Sequence, residues 1–449
     1  MNTSEQPPSP GARTFDVASL LDGRGLTAFH YRILLISCLI TLFDGMDLAL
    51  MAYTAPYIRD GFSLSSSLLG RLFSAAVIGQ VLGGFLVTHI ADRIGRRPTI
   101  IATSYLFGLL TVMTALASTY GQLVTIRFFD GLAIGGMLPV AWALNIEFAP
   151  KARRASVVAF IMLGYSMGAA GAGPLTNLVA PAHGWQGVYV WAGIGTLLAA
   201  VALHCWLPES VRFLVAKRRD NSRVAAVLNR MQPALGATTN DRFILADEAS
   251  AGARFRLRDL FHGDLRFITP LLWAGYMASA FAIYLNSTWG PLLLEGLKVA
   301  RPTAALVASV AGLLGAVSGL LLVRTTEHLG PRAVMICPAI ALPLLLVLGT
   351  GLAPDHAVLY LVLIFGVLLG AGHAALVSIV GVYYPSAIRA SGGGWATSVS
   401  KCAAVFGPLA GGAILASHSP VIRVYAALAI YPVVVCAAMA GIAIVIRRR

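Results

Sequence analysis

Residues 42–50 read LFDGMDLAL. Two acids, Asp44 and Asp47, interrupt a run otherwise suited to lipid. A carboxylate at membrane depth costs at least about 2.5 kcal/mol unless something compensates it. Three residues apart, the two side chains share one helix face. Neighbouring carboxylates in a low dielectric cannot both ionise easily, and they titrate as a coupled unit. Such a pair can take up and release a proton. The alternative is structural, with one Asp bonding a neighbouring helix. Two cations, Arg127 and Lys401, also lie in apolar stretches. Intramembrane cations face a bundle interior or a wet cavity and have a partner. Each is a candidate anchor for an anionic substrate. The alternatives are an ion pair for Arg127, with Asp130 at i+3 as one partner, and snorkelling for Lys401.

The elements that must position these residues follow from composition. Of 449 residues, 57% are hydrophobic and 12% charged, against about 25% charged in a soluble domain. The chain reads as an integral membrane protein. Twelve stretches reach the roughly 20 residues that a spanning helix needs: 31–57, 68–90, 98–118, 122–147, 156–180, 188–207, 267–294, 303–323, 333–351, 357–383, 389–417 and 421–446. The expected organisation is a tail over 1–30, a six-helix half over 31–207, a central loop over 208–266, a second six-helix half over 267–446 and a basic end at 447–449. The tail is polar and has no short apolar stretch with a cleavage site, so it reads as a disordered cytoplasmic tail rather than a signal peptide. A short amphipathic piece lies near Val17–Leu21.

The net charge of +14 reflects topology and not nucleic-acid binding. With the N-terminus inside, only Arg59, Arg71, Lys298, Arg301 and Arg423 of the 33 Lys and Arg fall in outer segments, while Arg127 and Lys401 lie within spans. That bias places both termini in the cytoplasm of a multi-pass inner-membrane protein. The basic central loop is expected to lie against anionic lipid headgroups. Cys38, Cys205, Cys337, Cys402 and Cys436 have neither metal-ligand nor disulfide spacing and read as small apolar residues. No nucleophile–base arrangement or phosphate loop is present in the sequence, so neither an enzyme nor a metal site is expected.

The halves repeat. Asp92-Arg93-Ile94-Gly95-Arg96-Arg97 and Glu327-His328-Leu329-Gly330-Pro331-Arg332 are separated by 235 residues, as are Pro150–Ser156 and Pro385–Ser391. Gly131 and Gly135 fall on Gly366 and Gly370 at the same offset, and Gly173-Pro174 matches Gly407-Pro408 with a one-residue slip. Parallel six-helix repeats with a midplane site between them describe the major facilitator fold.

Particular motifs agree with that architecture. THIADRIGRR (88–97) resembles the loop signature between helices 2 and 3 of the major facilitator superfamily, and Pro208-Glu209-Ser210 resembles a motif after helix 6 in many of its solute porters. DGMD (44–47), RFFDGLAIGGMLPVAWALNIEFAP (127–150) and YYPSAIRASGGGWATSVSKCAAVFGPLAGG (383–412) resemble helix 1, helix 4 and the helix 10–11 region of the aromatic acid:proton symporter family. The resemblance runs from about residue 30 to the end of the chain. It implies an all-α integral membrane protein with twelve transmembrane helices in two six-helix halves, and a proton-coupling role for Asp44 and Asp47. Three positions depart from the pattern. Thr88 replaces the signature's first glycine, Ser398-Val399-Ser400-Lys401 stands where the family has Gly-x-Gly-Arg, and Asp130 stands where a small polar residue is expected.

An aromatic ligand gives the span aromatics a possible role. Tyr284, Asn286, Trp289 and Trp142 are candidates for stacking or hydroxyl contact, although most membrane aromatics face lipid or the interface. His373 either contacts substrate, relays protons or is satisfied within the bundle. Asp92, Arg93, Arg96 and Arg97 lie too near the cytoplasm to bind substrate. They are expected to form an inner gate of ion pairs, joined by Glu147, Arg153 and Arg154 and, in the second half, by Arg389. The combined expectation is a monomeric symporter that imports a small organic acid, an aromatic carboxylate such as a hydroxybenzoate. A proton is the coupling ion, and no cofactor is expected. The alternatives are a proton-coupled exporter, to which GAAGAGP (168–174) is faintly similar, and a ligand sensor, which the lack of an output domain in 208–266 disfavours.

Overall fold

The computed structural model describes residues 13–22, 25–217, 221–246, 256–385, 388–417 and 420–447. Each expected span has its helix. They are α1 (Ala28–Phe62), α2 (Ser66–Ile94), α3 (Arg96–Thr114) and α4 (Tyr120–Phe148). A continuous stretch, Arg154–Trp206, breaks at Gly184 into α5 and α6. The second half holds α7 (Leu265–Gly296), α8 (Arg301–Leu329), α9 (Pro331–Thr350), α10 (Asp355–Ser378), α11 (Arg389–Ala416) and α12 (Ile422–Arg447). At about 1.5 Å per residue, some 20 residues cross a hydrocarbon layer of about 30 Å. Within it the backbone must satisfy itself. Many Ser and Thr hydroxyls follow suit by donating to the carbonyl four residues back, as Thr41, Thr54 and Thr111 do.

The 235-residue repeat is visible in the packing. Gly131 and Gly135 of α4 lie against the Ala76 and Gln80 carbonyls of α2, where a Cβ would collide with backbone. In the second half Gly370 of α10 lies against Gly315 of α8 in the same relation. The α2–α3 and α8–α9 turns use Gly95 (φ 122°) and Gly330 (φ 55°), a region that favours glycine. The repeated Gly-Pro pairs sit where the halves meet. Gly173 of α5 lies on Ala305 and Ser309 of α8, and Pro408 of α11 lies on Gly70 of α2.

The N-terminal segment differs from the expected disordered tail. β1 (Thr14–Asp16) pairs in parallel with β2 (Arg242–Ile244) of the central segment, and Phe15 stacks near Phe243. The Arg13 backbone N–H donates to Asp241 Oδ1 at 3.1 Å, and its guanidinium reaches Asp241 Oδ2 at 3.3 Å. Hydrogen bonds to Asp241, from the Thr238 backbone first and then from Arg13, hold its carboxyl down to a pKa of about 2. The amphipathic piece is a helix, Val17–Asp22, burying Val17, Ala18 and Leu21. Its Asp22 is capped by Lys151 at 2.8 Å, which lowers the Asp22 pKa. Residues 1–12 and 23–24 lie outside the described residues.

The central segment is likewise more than a loop. Helices Val211–Ala216 and Asn221–Met231 bury Val211, Leu214, Val224 and Leu228 with Val17, Leu21, Phe148 and Leu203. Apolar residues at 224, 225, 227 and 228 make one stripe of an amphipathic helix. The flanking Arg and Asn residues masked that stripe in a reading by composition.

Candidate functional site

Helix α1 carries both acids into the bundle, and α4 brings Arg127 opposite them. Asp44, Asp47, Arg127 and Asp130 are buried, at 5%, 2%, 2% and 0% exposure. Arg127 grips Asp47 as a fork, Nη1 to Oδ1 at 2.8 Å and Nη2 to Oδ2 at 2.5 Å. The same Nη1 lies 2.8 Å from Asp130 Oδ2. Thr111 of α3 reaches Asp130 Oδ1 at 3.5 Å, and the Tyr189 ring of α6 lies 5.5 Å from the guanidinium carbon. Asp47 and Arg127 also border a small cavity with Gln80 and Phe73 of α2 and Thr288 of α7. The ion pair therefore faces the seam between the halves. Removing one partner of a buried pair costs about 3–5 kcal/mol, because the other charge stays buried.

Asp44 is different. It makes no ion pair or hydrogen bond among the described residues, and neither does Lys401. Lys401 projects from α11 beside Gly84 of α2, across the seam. It lies in electrostatic range of Asp44, as do Tyr165 of α5 and Tyr284 of α7. Tyr165 was not among the sequence candidates. The signal for it lay inside the DGMD stretch, because Gly45, between the two acids, packs directly on the Tyr165 backbone.

The remaining candidates make other contacts. Trp289 is fully buried, with its indole N–H donated to the Pro408 carbonyl at 3.0 Å and its ring edge-to-face with Phe73. It fastens α7 to α11. Trp142 sits in a separate apolar cluster with Leu34, Ala149, Val157 and Ile161, away from the Asp47 cavity. Asn286 is half-buried. His373 Nδ1 pairs with Ser279 Oγ of α7 at 2.9 Å. Aromatic or polar type alone could not tell which face of a helix these residues occupy.

The charges expected to form an inner gate make a clasp within the first half. Arg96 contacts Asp92 and Glu147, both at 3.2 Å, and lies over the Phe213 ring. The Arg96 and Arg97 backbone N–H groups donate to Glu209 Oε1 at 3.0 and 3.2 Å, capping α3. The Arg97 side chain binds the Leu207 and His204 carbonyls at the end of α6. Arg154 turns to the Ala149 carbonyl, Arg153 is exposed and Arg93 is engaged as well. Each partner named here belongs to the first half or to the segment after α6. The Arg389 side chain lies outside the described residues.

Charges that do join the halves lie at the opposite end. Arg301, at the start of α8, contacts Asp60 of α1 at 2.5 Å and Glu295 of α7 at 3.0 Å, and Arg59 of α1 contacts Glu295 at 3.2 Å. Ser309 donates to the Tyr53 hydroxyl at 3.1 Å, and Asn177 to the Pro302 carbonyl at 2.9 Å. The bundle is tied shut at this end. The sequence held a signal for it, since the 235-residue offset carries Asp60 onto Glu295.

The family model for the Major Facilitator Superfamily matches residues 37–246 and 272–449. The chain belongs to the major facilitator superfamily. It is a multi-pass membrane transporter and not an enzyme. Among curated relatives, the 4-hydroxybenzoate transporter PcaK of Pseudomonas putida is 29% identical to it, covering 90% of each chain. The gallate transporter of Pseudomonas putida is 32% identical, covering 89% of each. The solved xylose transporter XylE from E. coli, in a partially occluded inward-open conformation, has the same fold. It aligns with a TM-score of 0.71 at 20% identity, over 90% of this chain and 96% of XylE.

Within this superfamily member the three departures have distinct structural outcomes. The Thr88 hydroxyl donates to the Gly84 carbonyl of its own helix at 2.7 Å, so α2 still packs on α4. Lys401 occupies its position without a protein partner among the described residues. Asp130 adds a second carboxylate to Arg127.

Proposed function

We propose that this transporter is a proton-coupled symporter that imports a small aromatic carboxylate across the inner membrane, with the proton as coupling ion, no cofactor and a monomer as the working unit. The observation that carries the reading is Lys401, a half-buried cation without a counter-ion among the described residues, in electrostatic range of Asp44, which has no ion pair or hydrogen bond among them either. The names of the aromatic-acid relatives support the substrate class. The positive-inside bias puts the α2–α3 turn in the cytoplasm, which makes the Arg59–Asp60–Glu295–Arg301 end the outer one and this conformation closed to the outside.

In this account Asp44, when ionised, is the counter-ion of Lys401. A proton on Asp44 frees the ammonium for the substrate carboxylate. Tyr165 and Tyr284 offer hydroxyls and ring faces beside it. Arg127 is already engaged by Asp47 and Asp130, so Lys401 and not Arg127 is the substrate anchor. With charges compensated the halves rock, the outer ion pairs part or form, and acid and proton leave inward.

Proteoliposomes with an acid-outside pH gradient test this with labelled benzoate, 4-hydroxybenzoate, gallate and succinate. Aromatic monocarboxylates are expected to accumulate, and a protonophore to abolish the accumulation. Accumulation of succinate alone, or aromatic-acid uptake indifferent to the gradient, contradicts the reading.

A further inference from the structure

Arg127 is one positive charge serving two carboxylates. Asp47, Arg127 and Asp130 are all buried, and Asp130 has no exposed surface at all. Fully ionised, the three carry a net charge of −1 in a setting where an uncompensated charge is expensive. The hydrogen bonds divide unevenly. Asp47 accepts both guanidinium hydrogen bonds. Asp130 Oδ2 lies 2.8 Å from Nη1 yet receives no directed hydrogen bond from any group among the described residues. A buried carboxyl oxygen that accepts nothing can itself carry a hydrogen. The groups facing Asp130 are Arg127 on its own helix, Asp47 from α1, the Thr111 hydroxyl from α3, and the Tyr189 ring from α6 stacked on the guanidinium. From α2 the carbonyls of Ala76 and Gln80 pack on α4 at Gly131 and Gly135, one and five residues on.

We propose that Asp130 and Asp47 share a second transported proton, so that the carrier moves two protons with each monocarboxylate. This inference rests on the proton-coupled reading above. A proton from outside water forms an O–H bond on one carboxyl, and the triad passes from −1 to neutral. Asp47 borders the cavity and Asp130 lies behind it, so the proton reaches water through Asp47. When Asp47 is the protonated member, Asp130 remains as the counter-ion of Arg127. The charges of the whole site set the number. Asp44, Asp47 and Asp130 against Arg127 and Lys401 leave −1, and the bound carboxylate makes −2. Two protons neutralise it, one at Asp44 and one on the triad. Each turnover then moves one net positive charge inward, because the loaded site crosses neutral and the empty site returns carrying −1.

Equilibrium accumulation of labelled 4-hydroxybenzoate in proteoliposomes reads this directly. With two protons per acid, one unit of pH gradient gives about 100-fold accumulation, and an inside-negative potential of about 100 mV adds about 50-fold more. In Asp130→Asn one pH unit is expected to give about 10-fold, and the potential nothing. Infrared difference spectra of the purified protein at neutral pH are expected to lose a protonated-carboxyl band in Asp130→Asn and to keep it in Asp130→Glu. Wild-type accumulation of about 10-fold per pH unit without potential dependence overturns this inference and leaves the parent reading standing. So does an unchanged carboxyl band in a monodisperse Asp130→Asn. Uptake of the acid indifferent to any pH gradient removes both.

Discussion

Arg127 is the side chain on which the site's electrostatics turn. Its planar fork gives Asp47 two hydrogen bonds and still presents Nη1 to Asp130, and an ammonium cannot reproduce that geometry. Arg127→Met would strand two buried acids. It is expected to destabilise the protein by about 3–5 kcal/mol. Arg127→Lys should fall between it and the wild type. Thermal melting in detergent checks this, and an Arg127→Met protein that melts like the wild type contradicts it. The four charged side chains first singled out do meet at the seam, because an ionisable group deep in a span has few other places to be. The Arg127–Asp130 pair was legible at i+3, but the choice of Asp47 over Asp44 as the second partner was not. That depends on the rotation of α4 against α1, two helices brought together by tertiary packing over 80 residues of sequence.

At the scale of elements, two assemblies of charge hold opposite ends of the bundle. The clasp around Arg96 and Glu209 stays within the first half and fixes the α2–α3 turn against the end of α6. The Arg59–Asp60–Glu295–Arg301 cluster ties α1 to α7 and α8. Partly exposed pairs of this kind each contribute less than about 1 kcal/mol. Their effect is on conformational balance, because this cluster exists only while its end of the bundle is closed. Arg301→Gln is expected to shift the population toward the outward-open form by roughly 5- to 30-fold, the equivalent of about 1–2 kcal/mol. Maleimide labelling of Ser309→Cys from outside, with the five native cysteines replaced, should quicken accordingly, and an unchanged rate contradicts the gate. The basic residues were legible as charges of one end. Whether they bridged halves was not, since motif and spacing report neighbours along the chain and not partners across a cleft. The docked N-terminal strand escaped for a related reason. Three residues of parallel pairing with a segment more than 200 residues away leave no local pattern.

For the molecule as a whole, the repeat was the most legible feature, because it is written in glycines that α2 and α4, and then α8 and α10, need in order to touch. The halves enclose a site in which one acid–cation pair is closed and another is open. The central claim is that the acids of α1 couple acid import to proton entry. The most direct test is uptake of labelled 4-hydroxybenzoate into proteoliposomes under an acid-outside pH gradient, comparing the wild type with the double variant Asp44→Asn, Asp47→Asn. The wild type is expected to concentrate the acid. The double variant should lose gradient-driven accumulation and still exchange internal for external acid. Gradient-driven accumulation that survives the double substitution unchanged would contradict the account.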